Sequence, residues 1–118
     1  MANEKLRALS KQRKWAHQKM LTLQSPTYQG FLQMEQATYR DGTLTKKQKE
    51  LIAIGISVTI HCESCMQWHI EQAGQDGATT EEILEAIEVG MEMGGGPSTA
   101  SARFALDVMV DAGLMEEN

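Results

Sequence analysis

The sequence predicts an all-α protein, a single-domain bundle of about six helices with a Cys-x-x-Cys motif at the start of a central helix. Three observations carry that expectation. Helix starts stand at Ser25-Pro26, at Thr45 with Gln48 and at Thr79 with Glu82; the last two are capping boxes, in which each side chain takes up a free backbone N–H of the other. Stops are equally plain at Asp41-Gly42, Asp76-Gly77 and the run Gly94-Gly95-Gly96-Pro97. No segment offers a pairing partner for a lone strand.

Glu4–Leu23 sets Leu6, Leu9, Trp15, Met20 and Leu23 among alternating charges, a loosely amphipathic helix. Ser25 as N-cap and Pro26 at the first helical position restart the chain. The helix that follows carries Tyr28, Phe31, Leu32, Met34 and Ala37 and runs to Asp41-Gly42. Lys46 opens a third helix. Its second half, Leu51–Ile60, has β-branched residues that would also suit a buried strand; the clear cap and the helix-forming Lys46–Glu50 decide for helix. A helix apolar on every side must be buried on every side, which in so small a protein points to packing between subunits and a homo-oligomer. A fourth helix starts at about Cys62 and stops after Gly74 at Asp76-Gly77. The fifth starts at Thr79, with Ile83, Leu84, Ile87, Val89 and Met91 to line it. Pro97 opens the sixth, where Ala100, Ala102, Phe104, Ala105, Val108 and Met109 are available for packing. Gly113 ends it, and Leu114–Asn118 should fray.

The stretch Glu50–His69 holds both cysteines, two of the three histidines and an acid ahead of the apolar run. Thiols two residues apart can close and reopen a small disulfide ring without moving the rest of the chain. On a helix of about 100° per residue, Cys65 lies roughly 60° and His69 roughly 20° from Cys62, one stripe facing inward beside Met66, Ile70 and Ala73. Ser64, Gln67, Trp68 and Glu71 point elsewhere. His69 falls one turn beyond Cys65 and can take its proton directly or through a water. The helix start favours thiolate while burial opposes it, so the imidazole has desolvation to offset. Glu50 can fold back from the preceding helix as a second proton acceptor or as the group that orients the imidazole. His61 is either a supporting group or the residue that ends a helix. His17 reads as surface, and the eight methionines as core filler.

Glu50, Cys62, Cys65 and His69 together resemble the E-x(11)-C-x-x-C-x-x-x-H signature of the alkylhydroperoxidase-like branch of the carboxymuconolactone decarboxylase family. The glycine break before a small-residue helix is similar too. The likeness covers residues 44–113, with 1–43 forming N-terminal helices of the one domain, 1–118. The resemblance implies Cys65 as the attacking thiol, Cys62 as its resolving partner, and His69 with Glu50 as a proton relay. It implies reduction of a peroxide or a disulfide through a Cys62–Cys65 cycle. Roles could be reversed, since in thioredoxin-like proteins the cysteine nearer the helix start attacks; the imidazole four residues after Cys65 favours Cys65.

Composition bounds the alternatives. A net charge of −5 speaks against nucleic acid or an anionic membrane as the main partner. The early basic residues from Lys5 to Lys19 read as a solvated helix face. Met1–Arg13 is polar, which predicts no signal peptide, and Leu51–Ile60 is about half the length a membrane span needs. A cytoplasmic protein is expected, where a Cys-x-x-Cys pair is more often catalytic or metal-binding than a permanent staple. Structural zinc would need His61 or Glu50 as fourth ligand, and three ligands on one helix fit a tetrahedron poorly. No metal is expected. No glycine fingerprint or phosphate loop is present, so no cofactor is expected and electrons must come from an external dithiol or protein reductant. A protein that switches packing by redox or metal binding without turnover is the rival reading, and lactone decarboxylation a remote one.

Overall fold

The computed structural model describes residues 3–118. Its elements are α1 (Glu4–Thr22), α2 (Pro26–Thr38), α3 (Lys46–Thr59), α4 (Glu63–Gln75), α5 (Thr80–Gly94) and α6 (Gly96–Asp111), with no strand among the described residues. Five of these helices start at a side chain that accepts a free N–H of the first turn. Asn3, Ser25 and Thr45 cap α1, α2 and α3. The Cys62 sulfur caps α4, and Thr79 caps α5. Both expected capping boxes are formed.

Helix α3 is the middle of the bundle, packed against α4 on one side and α5 on the other, while α6 closes the far side against α4 and α5. The α3–α5 crossing is tight because Gly90 faces Gly55: a Cβ on Gly90 would stand 2.5 Å from the Gly55 carbonyl oxygen. Ile54, Val58, Met66, Ile70, Ile83 and Ile87 fill the centre with almost no exposure, joined by Val108 and Met109 of α6. Leu6 is the one fully buried residue of α1, and Leu9 packs against the same core from its edge.

Several local expectations are corrected. Helix α2 ends at Thr38, not at Asp41-Gly42, because Tyr39 leaves helical geometry and turns its ring toward α4. Gln67, expected to point outward, is buried, because α1 crosses over α4 there and the Gln67 amide donates to the Leu6 carbonyl at 3.1 Å. Val89 and Ala100 are exposed. Leu114 does not fray: it packs against Gly74, and its carbonyl accepts a hydrogen bond from Thr80 Oγ1. His17 is hydrogen-bonded through Nδ1 to the Tyr28 hydroxyl at 2.6 Å, tying α1 to α2. Helix α3 is helical throughout, yet Ile52, Ile56 and Ile60 stay more than half exposed. With Val89 and Met93 of α5 they border an apolar groove of about 540 Å³. Helix α2 buries no residue, and Phe31 and Met34 stand on its open side. No described helix is long and apolar enough to cross a membrane.

Candidate active site

The turn between α3 and α4 delivers the cysteines. Cys62 adopts extended backbone geometry as the N-cap of α4, and its Sγ accepts the N–H of Cys65 at 3.2 Å. Cys62 is therefore just outside the helix and not within its first turn, because an N-cap must leave helical geometry to aim its side chain back at the orphan donors. Cys65 lies in that first turn, and the two sulfurs are joined in a disulfide with Cα atoms 5.2 Å apart. Both residues are half-buried. A sulfur that receives a backbone N–H at a helix start is held where negative charge is favoured.

His69 follows on the same helix one turn beyond Cys65, which sets their Cβ atoms about 5–6 Å apart. Its Nδ1 donates to Glu50 Oε1 at 2.6 Å, leaving Nε2 for proton exchange. Glu50 comes from α3 and is only 2% exposed. A carboxylate so buried needs partners on both oxygens. The second is Lys46, whose Nζ lies 3.2 Å from Glu50 Oε2, 2.7 Å from Asp76 Oδ2 and 3.2 Å from Gln72 Oε1. Tyr39 completes the wall, its ring 5.2 Å from that of His69. Burial pushes the Tyr39 hydroxyl above the ordinary tyrosine value, and the neighbouring Glu50 and Glu35 charges add to it.

A cavity of about 560 Å³ opens onto Glu50. Lys46, Gln72, Trp68, Tyr39 and residues of α2 line the rest of it. Trp68 is partly exposed as expected, with the Arg13 guanidinium over its ring at 5.1 Å. It nonetheless borders this cavity, since the end of α2 roofs the groove between α3 and α4. Met66, Met91 and Met93 do not line it.

The structure thus brings Glu50 and His69 into direct contact, with His69 one helical turn beyond Cys65, while the cavity at Glu50 is lined by neither cysteine nor by His69. Sequence reasoning missed Lys46, Gln72, Asp76 and Tyr39. The spacing of Lys46 and Glu50, one helical turn, was a readable signal; Asp76, Gln72 and Tyr39 meet them only through tertiary packing. Burial works to lower the Lys46 pKa, and its bonds to Asp76 and Glu50 overcome this and raise it. A raised value in the folded state means a stabilising contribution present below the unfolded lysine's pKa and lost as pH rises through the folded one. Lys46→Met is therefore expected to cost about 2 kcal/mol, discounted from a fully buried pair because the lysine is 31% exposed. Chemical denaturation should give that difference unchanged through neutral pH and closing only under strongly alkaline conditions.

A family model described as the carboxymuconolactone decarboxylase family matches residues 26–107. The fold is similar to the apo crystal structure of a carboxymuconolactone decarboxylase family protein from Legionella pneumophila, with 33% identity, 93% of this chain and 98% of that one covered, and a TM-score of 0.88. It is also similar to a Thermotoga maritima protein of the same family, described with a possible involvement in antioxidative response, at 27% identity, 94% of each chain and a TM-score of 0.82. In sequence it is 39% identical over 79 residues to "Uncharacterized protein 4 in cox locus" of Paracoccus denitrificans, which covers 67% of this chain and 71% of that protein.

Proposed function

The chain belongs to the carboxymuconolactone decarboxylase family, and from that premise and its paired cysteines we propose that it is a thiol oxidoreductase. It reduces a peroxide or a disulfide through a Cys62–Cys65 dithiol/disulfide cycle. The single observation that supports this most is the 2.6 Å Glu50–His69 pair placed one turn from Cys65 in a buried setting. Glu50 fixes the ring with Nδ1 protonated, so Nε2 can take the Cys65 proton. The Cys65 thiolate then attacks one sulfur of a disulfide, or one oxygen of a peroxide. In the first case a thiolate leaves and a mixed disulfide forms; in the second a hydroxide or alkoxide leaves, protonated as it goes, and a sulfenic acid forms. Cys62 attacks Cys65 Sγ and expels the second group, closing the ring. An external dithiol or protein reductant reopens it, and the cycle uses no metal and no other cofactor.

The antioxidative description of the Thermotoga maritima protein agrees with this reading. The protein also works as a cytoplasmic homo-oligomer. The exposed stripe Ile52, Ile56 and Ile60 beside Val89 and Met93 is what supports assembly, since an apolar patch of this size is unfavourable in water. Light scattering is expected to give a multiple of the 13.1 kDa chain mass, and Ile56→Asp to reduce it toward that mass.

Function is tested by giving the reduced protein an alkyl peroxide and several disulfides in parallel, with excess dithiol, and comparing second-order rates. Repeated turnover of at least one substrate is expected. A single stoichiometric oxidation with no further consumption would leave a redox switch and end the enzymatic reading.

A further inference from the structure

The two oxygens of the buried Glu50 carboxylate have different tasks. Oε1 meets His69 Nδ1 at 2.6 Å, and Oε2 meets Lys46 Nζ at 3.2 Å. The direction of the first bond depends on charge. An ionised carboxylate only accepts, so Nδ1 carries the hydrogen and Nε2 keeps its lone pair. One more proton on the pair gives either a carboxylic acid donating to Nδ1 or an imidazolium beside a carboxylate. In both forms Nε2 bears hydrogen and can accept nothing. Burial favours that uptake, because it penalises a lone negative charge, and a cation on Oε2 opposes it.

Lys46 is that cation, and it stands where local preference would not place it. It is the first residue of α3, where the positive end of the helix disfavours a lysine. Lysine before glutamate is also the weaker order for a pair one turn apart. Two further acceptors hold it there, Asp76 Oδ2 at 2.7 Å and Gln72 Oε1 at 3.2 Å. Both come from the end of α4, the helix that carries His69. The other charged groups on the elements around the pair are engaged elsewhere or border its cavity. Asp41 accepts the Lys46 backbone N–H at 2.7 Å, and Arg13 of α1 lies over the Trp68 ring and 3.9 Å from Glu71. Glu82 of α5 pairs with Lys47 at 3.1 Å, and the charge of Asp111 in α6 falls on Glu71. Glu35, Tyr39 and Arg40 border the cavity at Glu50.

We propose that Lys46 is a positioning residue for the thiol chemistry: its charge on Glu50 Oε2 keeps the Glu50–His69 pair one proton short at neutral pH, so that Nε2 can accept. This rests on the oxidoreductase reading above for the identity of the proton donor, Cys65, while the charge balance within the pair does not. Electrostatics sets the sign of each change. Without the Lys46 charge the pair has surplus negative charge and binds its extra proton at higher pH. Without the Asp76 charge, Lys46 serves Glu50 alone, and the extra proton binds only at lower pH. A network that merely braced α3 against α4 would be loosened by both changes and would not move the pair in opposite directions.

The test follows the His69 ring nitrogens by nitrogen-15 NMR across pH, in the full chain with the disulfide closed, where neither thiol titrates. Loss of signals in His69→Gln identifies them. The parent is expected to show Nε2 without hydrogen at neutral pH. Lys46→Met should raise the midpoint of proton uptake by about one pH unit, a tenfold loss of bare Nε2 below that midpoint. Lys46→Arg keeps the charge and should stay within about 0.3 unit of the parent. Asp76→Asn should lower the midpoint. Lys46→Gln carries the test if Lys46→Met does not fold. A midpoint unmoved by both neutral substitutions at Lys46, a hydrogen on Nε2 of the parent at neutral pH, or an upward shift in Asp76→Asn overturns the proposal. So does a first attack on substrate whose pH profile in Lys46→Met fails to follow the midpoint. The NMR measurement involves no substrate, so absent turnover would sink the oxidoreductase reading while leaving this result to stand or fall separately.

Discussion

Cys65→Ser is expected to abolish turnover of peroxide and disulfide alike, while Cys62→Ser is expected to halt after one event with the adduct trapped on Cys65. A serine hydroxyl does not ionise near neutrality, so an attack through Cys65 has no substitute atom at that position. Removing Cys62 instead spares the first attack and deletes the sulfur that resolves it. The structure gives the division a physical basis. His69 and its buried carboxylate stand one turn beyond Cys65. Cys62 is the N-cap, with the Cys65 N–H directed at its sulfur. A thiolate stabilised in that way is the better leaving group when the ring is reopened. Intact mass and peptide mapping after one equivalent of substrate decide the matter. An adduct found on Cys62 in the Cys65→Ser protein would reverse the two roles.

His69→Gln is expected to slow the first attack about a hundredfold at neutral pH, the usual range for losing a positioned general base. The defect should shrink as pH rises, because solution hydroxide then deprotonates the thiol without help from the protein. Glu50→Gln should give a smaller loss with the same pH signature. It keeps the shape and removes the charge that holds the Nδ1 proton, and it leaves Lys46 bridging Gln72 and Asp76. Stopped-flow mixing of reduced protein with substrate, repeated across pH, measures both. A His69→Gln rate equal to the parent at neutral pH would remove the imidazole from the chemistry.

Much of the frame was legible in the chain itself. The Thr45–Gln48 and Thr79–Glu82 boxes, Pro26 after Ser25, and the glycine run before Pro97 act within one turn of backbone, so their chemistry is complete in the sequence. The same holds for the disulfide spacing of Cys62 and Cys65 and for the one-turn offset of His69. Where the reading failed, the deciding partner was distant. Gln67 looks polar and outward until Leu6 crosses it from 61 residues away. Tyr39 leaves its helix early for a ring on another element. Leu114 reads as a fraying end until Gly74 gives it a seat.

What the sequence determined alone is the helical architecture and the presence of a thiol pair with an imidazole one turn on, because caps, breaks and helical periodicity are set by neighbours within about four residues. Tertiary structure decided the electrostatics of the site. Only packing α3 against α4 puts the Glu50 carboxylate out of water between His69 and Lys46 and draws in Asp76, and only the docking of α6 ties His61 to a serine 40 residues further along. A charge's strength depends on what solvent it has lost and which charges replace that solvent, and neither quantity is local to the chain.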